Sequence, residues 1–328
     1  MRAIKRLLLT LLVLSVLGAG TLTWYGTRPL SLPTAPLNFS LQQGSSLKAV
    51  ARQMRQAGIL QNEWMFVWLA RGLGKSTQIQ AGNYELESSV TLLQLLDLVS
   101  RGQVAHEQMV IIEGWTFNQF RAALNADPDI LHDTATWSES EILQQIGARE
   151  KNAEGLFFPD TYYFSKGTSD LDLLKRSYQA MQQQLQETWR NRVHGLPVYS
   201  PYQTLILASI VEKETGKAGD RSMVAGVFIN RLGAGMLLQT DPTVIYGLGA
   251  QFGGNLRKSD LLADTPYNTY TRTGLPPTPI ALPGLASLQA VVHPAQTDAL
   301  YFVARGDGSS EFSSSLEQHN RAVNRYQK

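Results

Sequence analysis

The sequence predicts an α+β protein: an N-terminal transmembrane helix, a small βααβ module, and a larger mixed α+β domain built around one buried helix. Three observations predict it. An uncharged stretch from Leu7 to Tyr25 follows Arg2, Lys5 and Arg6. A unit of short strand, turn and amphipathic helix recurs over the first third of the chain. A helix opening at Ser200-Pro201 is apolar nearly all round until it meets Glu212, Lys213 and Glu214.

Taken in order, Leu7–Tyr25 would span about 28 Å as a helix, close to the thickness of a bilayer core. The charges before it make residues 1–6 a cytoplasmic tail and put the rest of the chain on the far side. Trp24-Tyr25 is an interfacial pair, and Gly18-Ala19-Gly20 is a poor cleavage site, so a retained anchor over 7–25 is favoured over a cleaved signal. Residues 26–36 carry Pro29, Pro33 and Pro36 and read as a stiff spacer.

Leu37 to Leu41 reads as a strand, Gly44-Ser45-Ser46 as a turn, and Leu47, Val50, Ala51 and Met54 have helical spacing with Ser46 as cap. An apolar helix follows from Trp64 to Leu69, preceded by Asn62. The unit recurs from Tyr84-Glu85-Leu86 to Leu92, Leu95, Leu96 and Val99, and again from Met109 to Leu124. Strand–helix–helix–strand is the layout of a small carbohydrate-binding module, here residues 37–104, with a larger domain over 105–328. Residues 127–155 read as loop and helix, Phe157 to Tyr163 as core or interface, and Leu171 to about Trp189 as a long helix. Beyond the central helix, another follows Asp220 to Gly233. Residues 239–277 read as loops, Leu285–Val292 as a helix, Leu300–Ala304 as a strand and Ser314–Tyr326 as a last helix.

Composition narrows the chemistry. A net charge of +2 with no basic run beyond the extreme N-terminus gives nucleic acid no footing as a partner. The absence of cysteine removes disulfides, thiol nucleophiles and Cys-ligated metals. The histidines are scattered without a His-Glu-x-x-His pattern, and neither a Gly-x-Ser-x-Gly elbow nor a phosphate loop occurs.

That leaves carboxylates. Glu212 and Glu214 are two residues, or about 200°, apart on a helix and point to opposite sides. Glu214 continues the apolar stripe of Leu207 and Ile210, where desolvation would raise a carboxyl pKa and suit it to general acid work; the alternative is that both glutamates are solvent-facing helix-end charges beside Lys213 and Lys217. Asp241 and Asp264 are possible second carboxylates, although Asp-Pro at 241–242 more often starts a turn or helix. Tyr246, Tyr267, Asn268 and Tyr270 supply flat faces and amides of the kind that bind sugars.

Ala208 to Thr215, Val227 to Leu232, and Leu238-Gln239-Thr240-Asp241-Pro242-Thr243-Val244-Ile245-Tyr246-Gly247 closely resemble the YceG-like (MltG) family of endolytic murein transglycosylases. Tyr267-Asn268-Thr269-Tyr270, Thr273 to Pro277, Tyr301 to Ala304 and the earlier Phe158-Pro159-Asp160-Thr161 continue the resemblance. It implies a bacterial inner-membrane, single-pass protein with a periplasmic LysM-like module and a catalytic domain. It also implies cleavage between N-acetylmuramic acid and N-acetylglucosamine inside nascent glycan strands, leaving a 1,6-anhydromuramic end and terminating strand elongation. Peptidoglycan strands are then the substrate, peptidoglycan synthases of the elongation or division machinery are associated partners, and no metal or organic cofactor is called for. In the family's Glu-Lys-Glu motif the second glutamate is catalytic, which falls on Glu214. Gln239, Asp241, Asn268 and Tyr270 are the candidate substrate-binding residues, and Glu212 is assigned to motif support. A glycan hydrolase using Glu214, Asp241 and water, and a non-catalytic peptidoglycan-binding scaffold, remain the alternatives.

Overall fold

A computed structural model describes residues 9–10, 20, 24–32, 37–86, 89–102 and 107–327. The protein is mixed α+β, as expected. The expected membrane anchor is not upheld. Among the described residues no helix is long and apolar enough to cross a membrane, and the inner-membrane, single-pass placement falls with it. Most of 7–25, all of 1–6 and residues 33–36 lie outside the described residues. Within the stretch expected to be a spacer, Leu30 donates its N–H to the Val90 carbonyl at 2.9 Å, and Pro29 bridges to Thr91. That segment is pinned by backbone pairing.

The chain divides into two compact units, residues 1–107 with 163–166, and residues 108–162 with 167–328. In the first, β1 (Leu37–Leu41) and β2 (Gly82–Leu86) pair antiparallel with Phe39 opposite Tyr84, and the two rings stack at 5.4 Å. Between them run α1 (Leu47–Gln56), capped by Ser46, and α2 (Glu63–Gly72), capped by Asn62. α3 (Leu92–Arg101) opens with a reciprocal Thr91/Gln94 capping box and closes at Gly102 in the left-handed conformation. The inward faces of these elements, including Met54, Phe66, Leu95 and Leu96, make one core.

The division of the chain falls within β3 (Glu107–Val110) and β5 (Thr161–Phe164). In the second unit α4 (Phe117–Ala126), β4 (Ile130–Leu131) and α5 (Glu139–Ile146) lead to β6 (Thr168–Ser169), which pairs parallel with β4. The long α6 (Asp170–Arg190) follows. Phe157 is fully buried and stacks on Phe117, and Tyr162 is buried as well, whereas Tyr163 is exposed, so only part of the aromatic run there serves the core.

α7 (Pro201–Glu214) is the central helix. Ser200 caps it, Pro201 occupies the first turn, and every residue from Thr204 to Val211 is buried. It packs against α6, α8 (Arg221–Gly233) and α11 (Leu285–Val292). α8 lies so close to the segment after α11 that a Cβ on Gly226 would stand 2.9 Å from the Ala295 carbonyl oxygen. The stretch expected as loop contains two short helices, α9 (Asp241–Leu248) and α10 (Lys258–Leu262). β7 (Tyr301–Ala304) pairs antiparallel with β8 (Ser310–Ser313), an unforeseen strand, and α12 (Leu316–Tyr326) closes the fold.

Candidate active site

Glu214 ends the buried helix α7, so the apolar packing that fixes the helix also fixes the carboxyl. Its side chain is mostly enclosed but reaches a cleft of about 490 Å³. Gln239, Asp241 and Tyr270 line the same cleft, as do Arg231, Tyr301, Phe302 and His319. The Thr240 hydroxyl donates a hydrogen bond to Glu214 Oε1. Burial pushes the Glu214 carboxyl above its ordinary pKa, the Thr240 bond opposes that, and the nearby Asp241 charge adds to it. The outcome is a carboxyl biased toward its protonated form in the wall of a polar cleft.

Glu212 looks the other way. Its Oε2 accepts from the Gly284 N–H at 3.0 Å and the Ser287 hydroxyl at 2.7 Å, and Arg221 stands 3.7 Å from Oε1. The opposed directions expected of the two glutamates are what the helix provides.

The remaining candidates separate. Asp241 opens α9 beside Pro242, as the helix-start reading has it, and also lines the cleft. The Tyr270 hydroxyl donates to Asp241 Oδ1 at 2.5 Å. Burial, with that bond and the Asp241 charge adding, pushes the Tyr270 hydroxyl well above its ordinary pKa, so it stays a donor. Gln239 is exposed in the cleft and is the one described non-glycine residue with positive φ, at 50°. Asn268 departs from expectation. It is 1% exposed, gives its amide N–H groups to the carbonyls of Asp260, Leu261 and Ala263, and takes the Tyr270 N–H at 2.9 Å on its own oxygen. Its side chain is spent on building the loop that presents Tyr270. Asp264 sits at the surface, ion-paired with Arg272 at 2.7 Å and outside the cleft lining. Tyr246 and Tyr267 pack edge to face at 5.0 Å and do not line it either.

Two residues were missed. Thr240 was inside a quoted motif but had no assigned role. Arg231 is a buried cation whose Nη1 donates to the carbonyls of Leu237 and Leu238 and to Gln239 Oε1, while Nε donates to the Leu300 carbonyl at 2.6 Å. An arginine near the end of an otherwise apolar helix was the available signal, since a buried cation needs this many acceptors.

The YceG-like family model matches residues 39–325. This chain belongs to the YceG-like family. It is 31% identical over 314 residues to an endolytic murein transglycosylase of Bacillus subtilis (strain 168), covering 88% of this chain and 84% of that one. It is 28% identical over 318 residues to an endolytic murein transglycosylase of Streptococcus pneumoniae (strain D39), covering 86% of this chain but only 57% of that longer protein. A crystal structure titled as a yceG-like protein from Listeria monocytogenes is 28% identical, with a TM-score of 0.53 over 87% of this chain and 97% of that one.

Proposed function

We propose that this YceG-like protein is an endolytic lytic transglycosylase of peptidoglycan, with Glu214 as its single acid/base. The observation that carries the site assignment is Glu214 itself, a carboxyl with a raised pKa, held by Thr240 in the wall of a polar cleft. Protonated Glu214 gives its proton to the glycosidic oxygen as the bond from the muramic C1 breaks. The carboxylate then takes the proton of the C6 hydroxyl, whose oxygen closes on C1 to leave the 1,6-anhydromuramic end. Acceptor oxygens facing the cleft, those of Asp241 foremost, offset the positive charge that develops on the ring, while hydrogen bonds from the cleft wall orient the acetamido group. Gln239 and Tyr270 would orient the acetamido group, a reading supported by their lining the cleft, with Asp241 accepting from the Tyr270 hydroxyl and Asn268 shaping the loop beneath.

Residues 37–104 are read as a LysM-like module and 105–328 as the catalytic domain. The antiparallel β1/β2 pair enclosing two helices supports the first reading. Cutting a nascent strand would terminate its elongation, and peptidoglycan synthases are the matching class of partner.

The test is mass spectrometry of soluble products from peptidoglycan lacking stem peptides, with wild-type protein and Glu214→Gln. Anhydromuramic ends from the wild type and none from the variant support the proposal. Reducing ends, heavier by one water, replace it with a hydrolase, and no product from either points to a binding scaffold.

A further inference from the structure

Thr240 stands at the N-cap position of α9, where a threonine hydroxyl ordinarily accepts a hydrogen bond from the helix's first turn. Here it makes no capping bond. It is turned instead to Glu214 Oε1, and the surroundings hold it there. The residue is 2% exposed. Its N–H donates to Thr269 Oγ1 at 3.1 Å, and its carbonyl accepts from Thr243 Oγ1 at 2.8 Å. The Thr243 and Thr269 hydroxyls are themselves 2.9 Å apart. On the preceding side, Gln239 sits in the left-handed region, with its N–H on the Thr269 carbonyl at 3.1 Å and its side chain on Arg231. A backbone conformation this costly for glutamine persists only where its neighbours over-determine it. Among the described residues no hydrogen bond reaches Glu214 Oε2.

A hydroxyl has one proton to donate. While Thr240 gives its proton to Oε1, a proton on the carboxyl itself belongs on the other oxygen. We propose that Thr240 is a positioning residue which reserves Glu214 Oε2 as the oxygen that carries the proton out to the leaving group and takes it back from the C6 hydroxyl. The inference rests on the transglycosylase reading of Glu214. The chemistry balances with one oxygen. The C1–O bond breaks with its electron pair going to the leaving oxygen, which takes the proton from Oε2. The C6 oxygen bonds to C1 and releases its proton to Oε2. The anhydro bridge closes on the ring face from which a β-linked oxygen departs, so both transfers occur on one side. The charged and titratable groups facing Glu214 across the cleft are Asp241 from α9, Tyr270 from the following loop, Arg231 from α8, Tyr301 from β7 and His319 from α12. None of them donates to Glu214 in place of Thr240.

The experiment compares wild type, Thr240→Val, Thr240→Ala and Thr240→Ser, each checked for native circular dichroism. The Glu214 carboxyl is titrated by infrared difference spectroscopy against Glu214→Gln, and turnover is measured across pH on stem-free glycan strands. A hydrogen bond to the charged form lowers a carboxyl pKa, so its loss moves the midpoint up. Thr240→Val, or Thr240→Ala where the valine variant does not fold, is expected to raise the midpoint and shift the alkaline limb of kcat the same way. It should cut kcat by about 10- to 100-fold with KM within about threefold. Thr240→Ser is expected to restore all three. An unchanged midpoint and kcat in a folded non-donor variant, or no rescue by serine, overturns the inference. The titration needs no substrate. Absence of anhydro ends from the wild type would therefore overturn the transglycosylase reading and the proton route built on it, while the titration still reports separately whether Thr240 holds the carboxyl.

Discussion

The Glu212 carboxylate accepts the Ser287 hydroxyl at 2.7 Å and the Gly284 N–H at 3.0 Å, tying the last turn of α7 to the first turn of α11. Gly284 has no side chain with which to cap its own helix, so a residue from another helix does the work. Glu212→Ala is expected to lower unfolding free energy by about 1–3 kcal/mol, the usual cost of stranding buried partners of a charged group. Urea denaturation measures it. Turnover should fall as well, because the same turn carries Glu214.

Glu214 is held in a site that disfavours its charge, so function and stability pull apart there. Its folded pKa is raised, and its contribution to stability is therefore complete below the unfolded value of 4.5 and lost as pH rises through the folded value. Glu214→Gln keeps an acceptor for Thr240 and carries no charge. It is expected to abolish turnover, by about 100-fold or more, while melting higher than the wild type at neutral pH. The gap in melting temperature should close as pH falls below the unfolded value.

Glu154 is a second buried carboxyl, 4% exposed, whose Oε1 takes the Phe117 N–H at 2.9 Å. Burial is the main reason its pKa rises from 4.5 to about 7, with hydrogen bonds from Phe117 and Tyr246 opposing. The sign again is stability lost with rising pH, here between the unfolded value and about 7. The shift corresponds to about 3 kcal/mol across that window. In a pH series of denaturation curves, Glu154→Gln should flatten this part of the wild-type profile.

Arg231 grips three consecutive residues, Leu237, Leu238 and Gln239, and the carbonyl of Leu300. Lysine has the charge but not the planar fork. Arg231→Lys is expected to cost about 2–4 kcal/mol in denaturant unfolding and to reduce turnover by about tenfold or more, since the segment it holds carries Gln239 and Thr240.

Gly226→Ala tests the close approach of α8 to the segment after α11. The added methyl would meet the Ala295 carbonyl at 2.9 Å and the Thr297 methyl at the same distance. Destabilisation of about 1–3 kcal/mol is expected, measurable by thermal melting.

The central helix was legible because Ser200-Pro201 announces its start and its apolar face runs unbroken into Glu214. The opposed directions of the two glutamates follow from helical geometry alone. Of α9 only the Asp241-Pro242 start was legible, and α10 and β8 were not legible at all. The first two are short, start without a side-chain cap of the ordinary kind, and lie among Gly, Pro and Asp residues that read as loop. β8 holds Ser310, Glu311 and Ser313, poor strand formers that take their form from pairing with β7. Asn268 shows the limit of reading roles from motifs. An amide among aromatics suits a sugar as well as it suits three loop carbonyls, and only the fold decides which. Thr240 was hidden for the same reason, since its partner lies 26 residues earlier in the chain.

The cleft takes Glu214 from α7 but one of its walls from β7, β8 and α12 at the far end of the sequence. Contacts between such distant segments form late, because closing a long chain loop must precede any reward from pairing. Refolding from denaturant should therefore show helix signal recovering well before catalytic competence. The enzyme would pass through an interval in which α7 is built and its acid is still open to bulk water. During that interval Glu214 would titrate as an ordinary carboxylate, and only docking of the last hairpin and helix would turn it into an acid.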